Sequence, residues 1–112
     1  MYNFKTFFKN KRILITGNTG FVGSNLSLAL SLFGAKVLGL SQKKAHRGYI
    51  SNHNGYKKKI KTIHTDILKV NKKYKLIKKF KPQIIIHLAS QPIVRESFLN
   101  TKKTYKTNVL GT

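Results

Sequence analysis

At 112 residues the chain has room for one domain and no second lobe, and the absence of cysteine rules out a disulfide framework or a cysteine-ligated metal. Lys and Arg number 23 against two acidic residues, Asp66 and Glu96, for a formal net charge of +21. Weak polyanion binding at low salt follows, but the lysines are spread over helices and loops without interleaved aromatics, so no specific nucleic-acid partner is expected.

Met1 to Lys11 is a basic, aromatic lead-in whose Phe4, Phe7 and Phe8 are expected to pack beneath the first strand. Arg12 to Thr16 carries the short apolar run of a buried parallel strand, Ile13-Leu14-Ile15. The run stops at Gly17-Asn18-Thr19-Gly20 and restarts as an apolar helix reaching about Phe33, with Gly34 closing it. Gly17 marks a tight turn, Gly20 removes a Cβ where backbone must approach a ligand, and Gly23 lets the first helical turn sit close to the strand. The N–H groups of that turn have no partner inside the helix and suit a nucleotide pyrophosphate. The commonest dinucleotide fingerprint has one residue between its first two glycines, whereas this loop has two, so its strand and helix context carries the assignment.

The uncharged stretch from Ile13 to Ala35 is broken by glycines, asparagines and hydroxyls, which argues against a membrane span or a secretory signal and for the cytoplasm. Lys36 to Leu40 is a second strand, parallel to the first across a right-handed crossover. Beyond it lies Ser41-Gln42-Lys43-Lys44, where a carboxylate commonly accepts from the ribose hydroxyls. Ser41 or Gln42 is able to bond a ribose and Lys43 or Lys44 to pair with a 2′-phosphate, which leaves NAD and NADP both open; these lysines read equally well as a solvated loop.

Residues 45–59 are polar and read as a mobile loop. His46, His53 and His64 share no spacing that would make a metal site. Ile60 to Thr65 reads as a third strand leading to Asp66-Ile67, where Asp66 is placed either to accept from an adenine amino group or to cap the following turn. Asn71 to Phe80 is an amphipathic helix stopped by Lys81-Pro82. Ile84 to Ala89 reads as a fourth strand buried on both faces, with His87 a satisfied core histidine. The spatial order is 3-2-1-4, so the residues after strand four face the crevice of the glycine loop.

Thr16-Gly17-x-x-Gly20-Phe21-x-Gly23-Ser24 resembles the cofactor loop of the extended short-chain dehydrogenase/reductases, the nucleotide-sugar epimerases and dehydratases. Phe80-Lys81-Pro82-Gln83-Ile84, Leu88-Ala89-Ser90-Gln91-Pro92-Ile93-Val94-Arg95 and Thr104 to Thr112 are most similar to the CDP-glucose 4,6-dehydratases. The resemblance implies an α/β fold, a Rossmann-type parallel sheet with helices on both faces, of which 1–112 is the N-terminal NAD(P)-binding part. It implies NAD contacts from the backbone of Phe21 and Val22, from Asp66 and Ile67, from Leu88 to Gln91 and from the Thr107 hydroxyl. Asn108 matches an Asn that supports the family's catalytic Lys.

The expected cofactor-binding set is Gly17, Asn18, Thr19, Gly20, Phe21, Val22, Gly23, Ser41, Asp66, Ile67, Leu88, Ala89, Ser90, Gln91, Thr107 and Asn108, with no catalytic residue and no metal ligand. The Tyr-x-x-x-Lys pair of such enzymes lies beyond position 112, so this stretch alone is expected to bind dinucleotide without turning over a nucleotide sugar; the full-length enzyme is expected to be a homodimer. Asn18, Val22, Asn25 and Lys43 depart from the dehydratase pattern toward that of the epimerases, so an NAD-dependent epimerase is the alternative. A basic nucleic-acid or polyphosphate binder is the alternative from a different class.

Overall fold

A computed structural model describes residues 3–42, 48–90 and 98–112. Four parallel strands, β1 (Arg12–Thr16), β2 (Lys36–Ser41), β3 (Lys61–His64) and β4 (Ile84–His87), form one sheet in the order β3-β2-β1-β4. This is the expected order and the expected Rossmann-type class: the chain steps outward from β1 to β2 and β3, then crosses back to the other side of β1.

Successive residues of β1 serve opposite faces. Ile13 and Ile15, both fully buried, join Leu30 of α2 (Phe21–Leu32) and Ala35 in one layer, to which Phe8, Ile84 and Ile86 add. Leu14 points the other way, into a layer with Leu38, Leu40 and Ile63. Ile67 and Val70 of a 3₁₀ segment (Ile67–Lys73) and Ile77 and Phe80 of α4 (Tyr74–Phe80) cover that second layer. Helices therefore lie on both faces, as an apolar strand without alternation requires. Each fully buried isoleucine contributes roughly 1.5–3 kcal/mol relative to exposure.

The helix ends follow local chemistry. After α2 the chain turns at Gly34, whose φ of +87° is left-handed, while its N–H donates to the Ser31 carbonyl and that of Ala35 to Leu30. α4 stops at Lys81, also left-handed at φ 53°, because the Pro82 ring disfavours a helical residue before it. The Lys81 carbonyl accepts from Arg12 Nε at 2.7 Å, and Arg12 N–H donates to Gln83 Oε1 at 3.0 Å, tying this stop to the start of β1.

Four expectations are corrected. β4 is not buried on both faces: Ile85, paired with Leu14, is 63% exposed, and no β4 residue joins the second layer that Leu14 belongs to. Of the three lead-in phenylalanines only Phe8 joins the core; Phe4 and Phe7 lie on the outer side of α1 (Phe4–Phe8), where Lys11 sits over the Phe7 ring. The amphipathic helix is α-helical only from Tyr74, with a backbone break at Lys69. In place of a loop, residues 50–59 form a 3₁₀ turn (Ile50–Asn52) and a short helix, α3 (Asn54–Lys59), that bury Ser51 and Tyr56.

Candidate functional site

β1 runs into the loop through Gly17, which has φ +71° and donates its N–H to the Leu40 carbonyl at 2.8 Å. A Cβ there would lie 2.8 Å from the Ala89 nitrogen and the Leu88 carbonyl carbon, so backbone conformation and close approach both demand glycine. Gly23 is equally constrained, since its Cβ would collide with the Gly17 carbonyl oxygen. Gly20 differs: among the described residues the one neighbour of its Cβ within 4 Å would be the Gly17 oxygen, at 3.4 Å.

Gly20 is the N-cap of α2 in extended conformation, with no side-chain cap and no acid in the first turn. Ser24 N–H, bonded to the Gly20 carbonyl, begins the helical ladder, so the Phe21, Val22 and Gly23 N–H groups precede it and have no acceptor within the helix. The helix dipole adds partial positive charge at this end. The Phe21 and Val22 side chains are exposed, so their expected backbone role is geometrically open.

The Asn18 and Thr19 side chains have hydrogen-bond partners within the fold. Asn18 is fully buried, and its Nδ2 donates to the Tyr56 hydroxyl (3.0 Å) and to Thr62 Oγ1 (2.8 Å). The Tyr56 hydroxyl in turn donates to the Asn18 carbonyl at 2.8 Å. Thr19 Oγ1 pairs with Ser41 Oγ at 2.6 Å, and Ser51 Oγ donates to the Thr19 carbonyl at 2.8 Å. These side chains hold the loop from behind instead of reaching into the crevice. Ser51 and Tyr56 were missed from sequence; two hydroxyl side chains in a stretch otherwise rich in lysine were the available signal. Burial pushes the Tyr56 hydroxyl above its ordinary pKa, against the opposing effect of Ser27 and Asn18 as hydrogen-bond partners.

Thr16 joins the loop to the end of β4. Its Oγ1 accepts from the Leu88 and Ala89 N–H groups at 3.1 and 3.2 Å, and lies 2.6 Å from His87 Nδ1. The donor in that contact depends on the tautomer of the ring, whose other nitrogen is Nε2. That nitrogen faces Thr112 Oγ1 at 3.3 Å, and Thr112 donates to the Asn108 carbonyl at 2.8 Å. His87 is thus satisfied, yet it is exposed and not a core residue as expected.

Asp66 caps the 3₁₀ segment, accepting from Leu68 N–H at 2.9 Å through Oδ1. It also borders a cleft of about 440 Å³ shared with Gln42, Leu68, Thr107 and three lysines, Lys102, Lys103 and Lys106. The lysines and Thr107 come from α5 (Thr101–Tyr105) and its π-helical continuation (Lys106–Leu110). Gly111 packs so closely on Ile67 that a Cβ there would lie 2.6 Å from Ile67 Cγ2, which sets this segment beside the end of β3. Leu88 and Ala89 lie against Gly17, and Ser90 follows them, exposed. Gln91, Lys43, Lys44 and the Pro92–Arg95 segment lie outside the described residues. Among the described residues no helix is long and apolar enough to cross a membrane.

Residues 14–112 match the model of the GDP-mannose 4,6 dehydratase family. The CDP-glucose 4,6-dehydratase of Salmonella typhimurium is 38% identical over 108 residues, covering 96% of this chain and 30% of that protein. Among solved structures, the epimerase Mth375 of Methanothermobacter thermautotrophicus superposes with a TM-score of 0.79 at 29% identity, over 96% of this chain and 31% of that one. MoeE5, solved in complex with UDP-glucuronic acid and NAD, has a TM-score of 0.67 at 25% identity, over 89% of this chain and 29% of its own. The chain thus spans under a third of the length of these relatives.

Proposed function

The chain belongs to the GDP-mannose 4,6 dehydratase family, among the nucleotide-sugar dehydratases and epimerases, and we propose that it is the dinucleotide-binding portion of a nucleotide-sugar 4,6-dehydratase of the CDP-glucose type. The observation that carries this reading is the uncapped start of α2 at Gly20, where a Cβ would meet, among the described residues, only the Gly17 oxygen at 3.4 Å. Backbone donors without a helical acceptor, a favourable helix dipole and no side chain in the way make a seat for a pyrophosphate. The identity to a CDP-glucose 4,6-dehydratase supports the substrate class, and the NAD in the MoeE5 complex supports the cofactor.

Such a dinucleotide would supply the hydride acceptor and donor for a 4,6-dehydration of the sugar. In this chain Gly17, Gly20 and Gly23 shape the seat, while Asn18, Thr19, Ser51 and Tyr56 hold it rigid. Thr16 and His87 fix the Leu88–Ala89 backbone that forms the opposite wall. An epimerase is the second reading, favoured by the likeness to Mth375 and by Asn18, Val22 and Asn25 at positions where the dehydratase pattern differs. Titration calorimetry of the purified chain with NAD and with NADP tests the binding role: saturable heat from either, lost in Gly20→Val, is expected. No binding of either dinucleotide would refute it.

A further inference from the structure

The two ends of the sheet carry different chemistry. The glycine loop and the cleft bordered by Asp66 follow the C-terminal ends of the strands. At the N-terminal ends, Arg12 of β1 pairs with Lys36 of β2, whose N–H donates to the Lys11 carbonyl at 2.8 Å. Arg12 Nε donates to the Lys81 carbonyl at 2.7 Å, and Lys9 Cγ lies 3.5 Å from where a Cβ at Gly34 would stand. These contacts gather Lys9, Lys11, Arg12, Lys36 and Lys81 at one end, whereas Asp66, the one acidic side chain among the described residues, lies past the other end of β3. Beside the cations, large apolar side chains stand in solvent. Phe4 is 61% and Phe7 42% exposed, Leu32 at the end of α2 is 63% exposed, and Lys11 Nζ is 5.8 Å from the Phe7 ring centre. Phe8, the next residue of α1, packs into the core and so holds that helix against the sheet.

We propose that α1 and the N-terminal end of the sheet form a peripheral docking surface for an anionic lipid bilayer. Phe4 and Phe7 enter the headgroup layer, and Lys9, Lys36 and Lys81, all exposed, meet lipid phosphates. A second copy of the chain does not suit this surface, because the same cations would face one another. A nucleic-acid duplex would engage the cations through its phosphates and give the phenylalanines nothing apolar to meet. The chain lies on the bilayer without spanning it, since no helix among the described residues is long and apolar enough to cross. The glycine loop, at the opposite end of the sheet, then faces away from the lipid. Another source of attraction is the field of the whole molecule, with its formal charge of +21, which would draw the chain to any polyanion. That field is screened beyond roughly 8 Å at physiological salt, whereas ammonium groups in contact with a phosphate are not.

The test is sedimentation of the full chain at physiological salt with vesicles of phosphatidylcholine, alone or with one third phosphatidylglycerol. Four forms are compared: the unaltered chain; Phe4→Ser with Phe7→Ser; Lys9→Gln with Lys36→Gln and Lys81→Gln; and Lys102→Gln with Lys103→Gln and Lys106→Gln, an equal loss of charge at the other end of the sheet. The first and fourth are expected to bind the anionic vesicles and not the neutral ones. The second and third are expected to partition at least about tenfold more weakly, with unchanged circular dichroism. The two lysine variants change exposed positions only and keep the test decisive if the phenylalanine variant unfolds. No binding of the unaltered chain to anionic vesicles would overturn the proposal, and so would equal losses in both lysine variants, the mark of net charge alone. Full binding by a folded phenylalanine variant would also overturn it, leaving a face that serves any polyanion, a duplex included. No dinucleotide enters the measurement, so its failure leaves the dinucleotide reading untouched.

Discussion

The buried amide of Asn18 occupies the volume that a side chain at Gly39 would fill: a Cβ on Gly39 would collide with the Asn18 side-chain amide. Gly39 sits in the middle of β2, paired with Ile15 on one side and Thr62 on the other. Its missing side chain lets the glycine loop reach across β2 to Thr62 and Tyr56. Gly39→Ala is therefore expected to displace the amide and destabilise the fold by about 1–3 kcal/mol. Asn18→Ala leaves the Tyr56 and Thr62 hydroxyls without their donor, but it vacates the space a methyl at 39 needs. Urea unfolding of the double variant should cost less than the sum of the two single changes; strict additivity would show that the residues do not compete for space.

The three loop glycines should separate into two classes. Gly20→Val meets, among the described residues, only an ordinary contact with the Gly17 oxygen and should leave the circular dichroism spectrum and the unfolding midpoint near those of the parent while dinucleotide binding is lost. Gly23→Ala drives a methyl into the Gly17 carbonyl and should lower stability even with no ligand present. Loss of stability in Gly20→Val comparable to that in Gly23→Ala would remove the distinction.

Tyr56 links stability to alkaline pH. Its pKa in the folded chain is raised above the ordinary 10.0, chiefly by burial, so the folded state holds the proton more tightly than the unfolded one. The contribution is fully present below about pH 10 and is lost as pH rises through the folded value. Lysines lose charge in the same range, an effect common to parent and variant. Tyr56→Phe should be about 1–3 kcal/mol less stable than the parent at pH 8, from the lost hydrogen bonds of the hydroxyl, and the gap should narrow above pH 10. A gap that stays constant to pH 11 would show that ionisation of Tyr56 is not linked to folding.

β4 carries the exposed Ile85, with further apolar exposure at Phe98, Leu99, Val109 and Leu110. In the 112-residue chain such surface favours self-association, opposed by like-charge repulsion. Raising salt from 0.01 to 1 M shortens the screening length from about 30 to about 3 Å, so light scattering should show association growing with salt. Ile85→Lys should reduce it at every salt concentration. A monomer at high salt would mean that the exposed apolar face is too small to matter.

Local pattern made the framework legible. Ile13-Leu14-Ile15 and Ile84-Ile85-Ile86 are strands by their β-branched runs, Gly17 and Gly34 mark turns, and the alternation of strands with helices dictates the order β3-β2-β1-β4. Each of these properties depends on residues close together in the chain. The function of Asn18 was not legible, because its partner Tyr56 lies 38 positions away in a segment whose polarity reads as loop. The exposure of Ile85 depends on how far the neighbouring helix layer extends, which an apolar run does not encode.

The sequence by itself therefore determined the strand, glycine loop and helix, and the sheet order, since these follow from periodicity and from backbone freedom at glycine. Tertiary structure alone decided which side chains brace that loop and which charges line the cleft beside it. Ser51 and Tyr56 reach Thr19 and Asn18, and Lys102, Lys103 and Lys106 meet Gln42 and Asp66, only after three crossovers have closed the sheet. The physical reason is that hydrogen bonds and electrostatic contacts act over a few ångströms in space, whatever the separation along the chain.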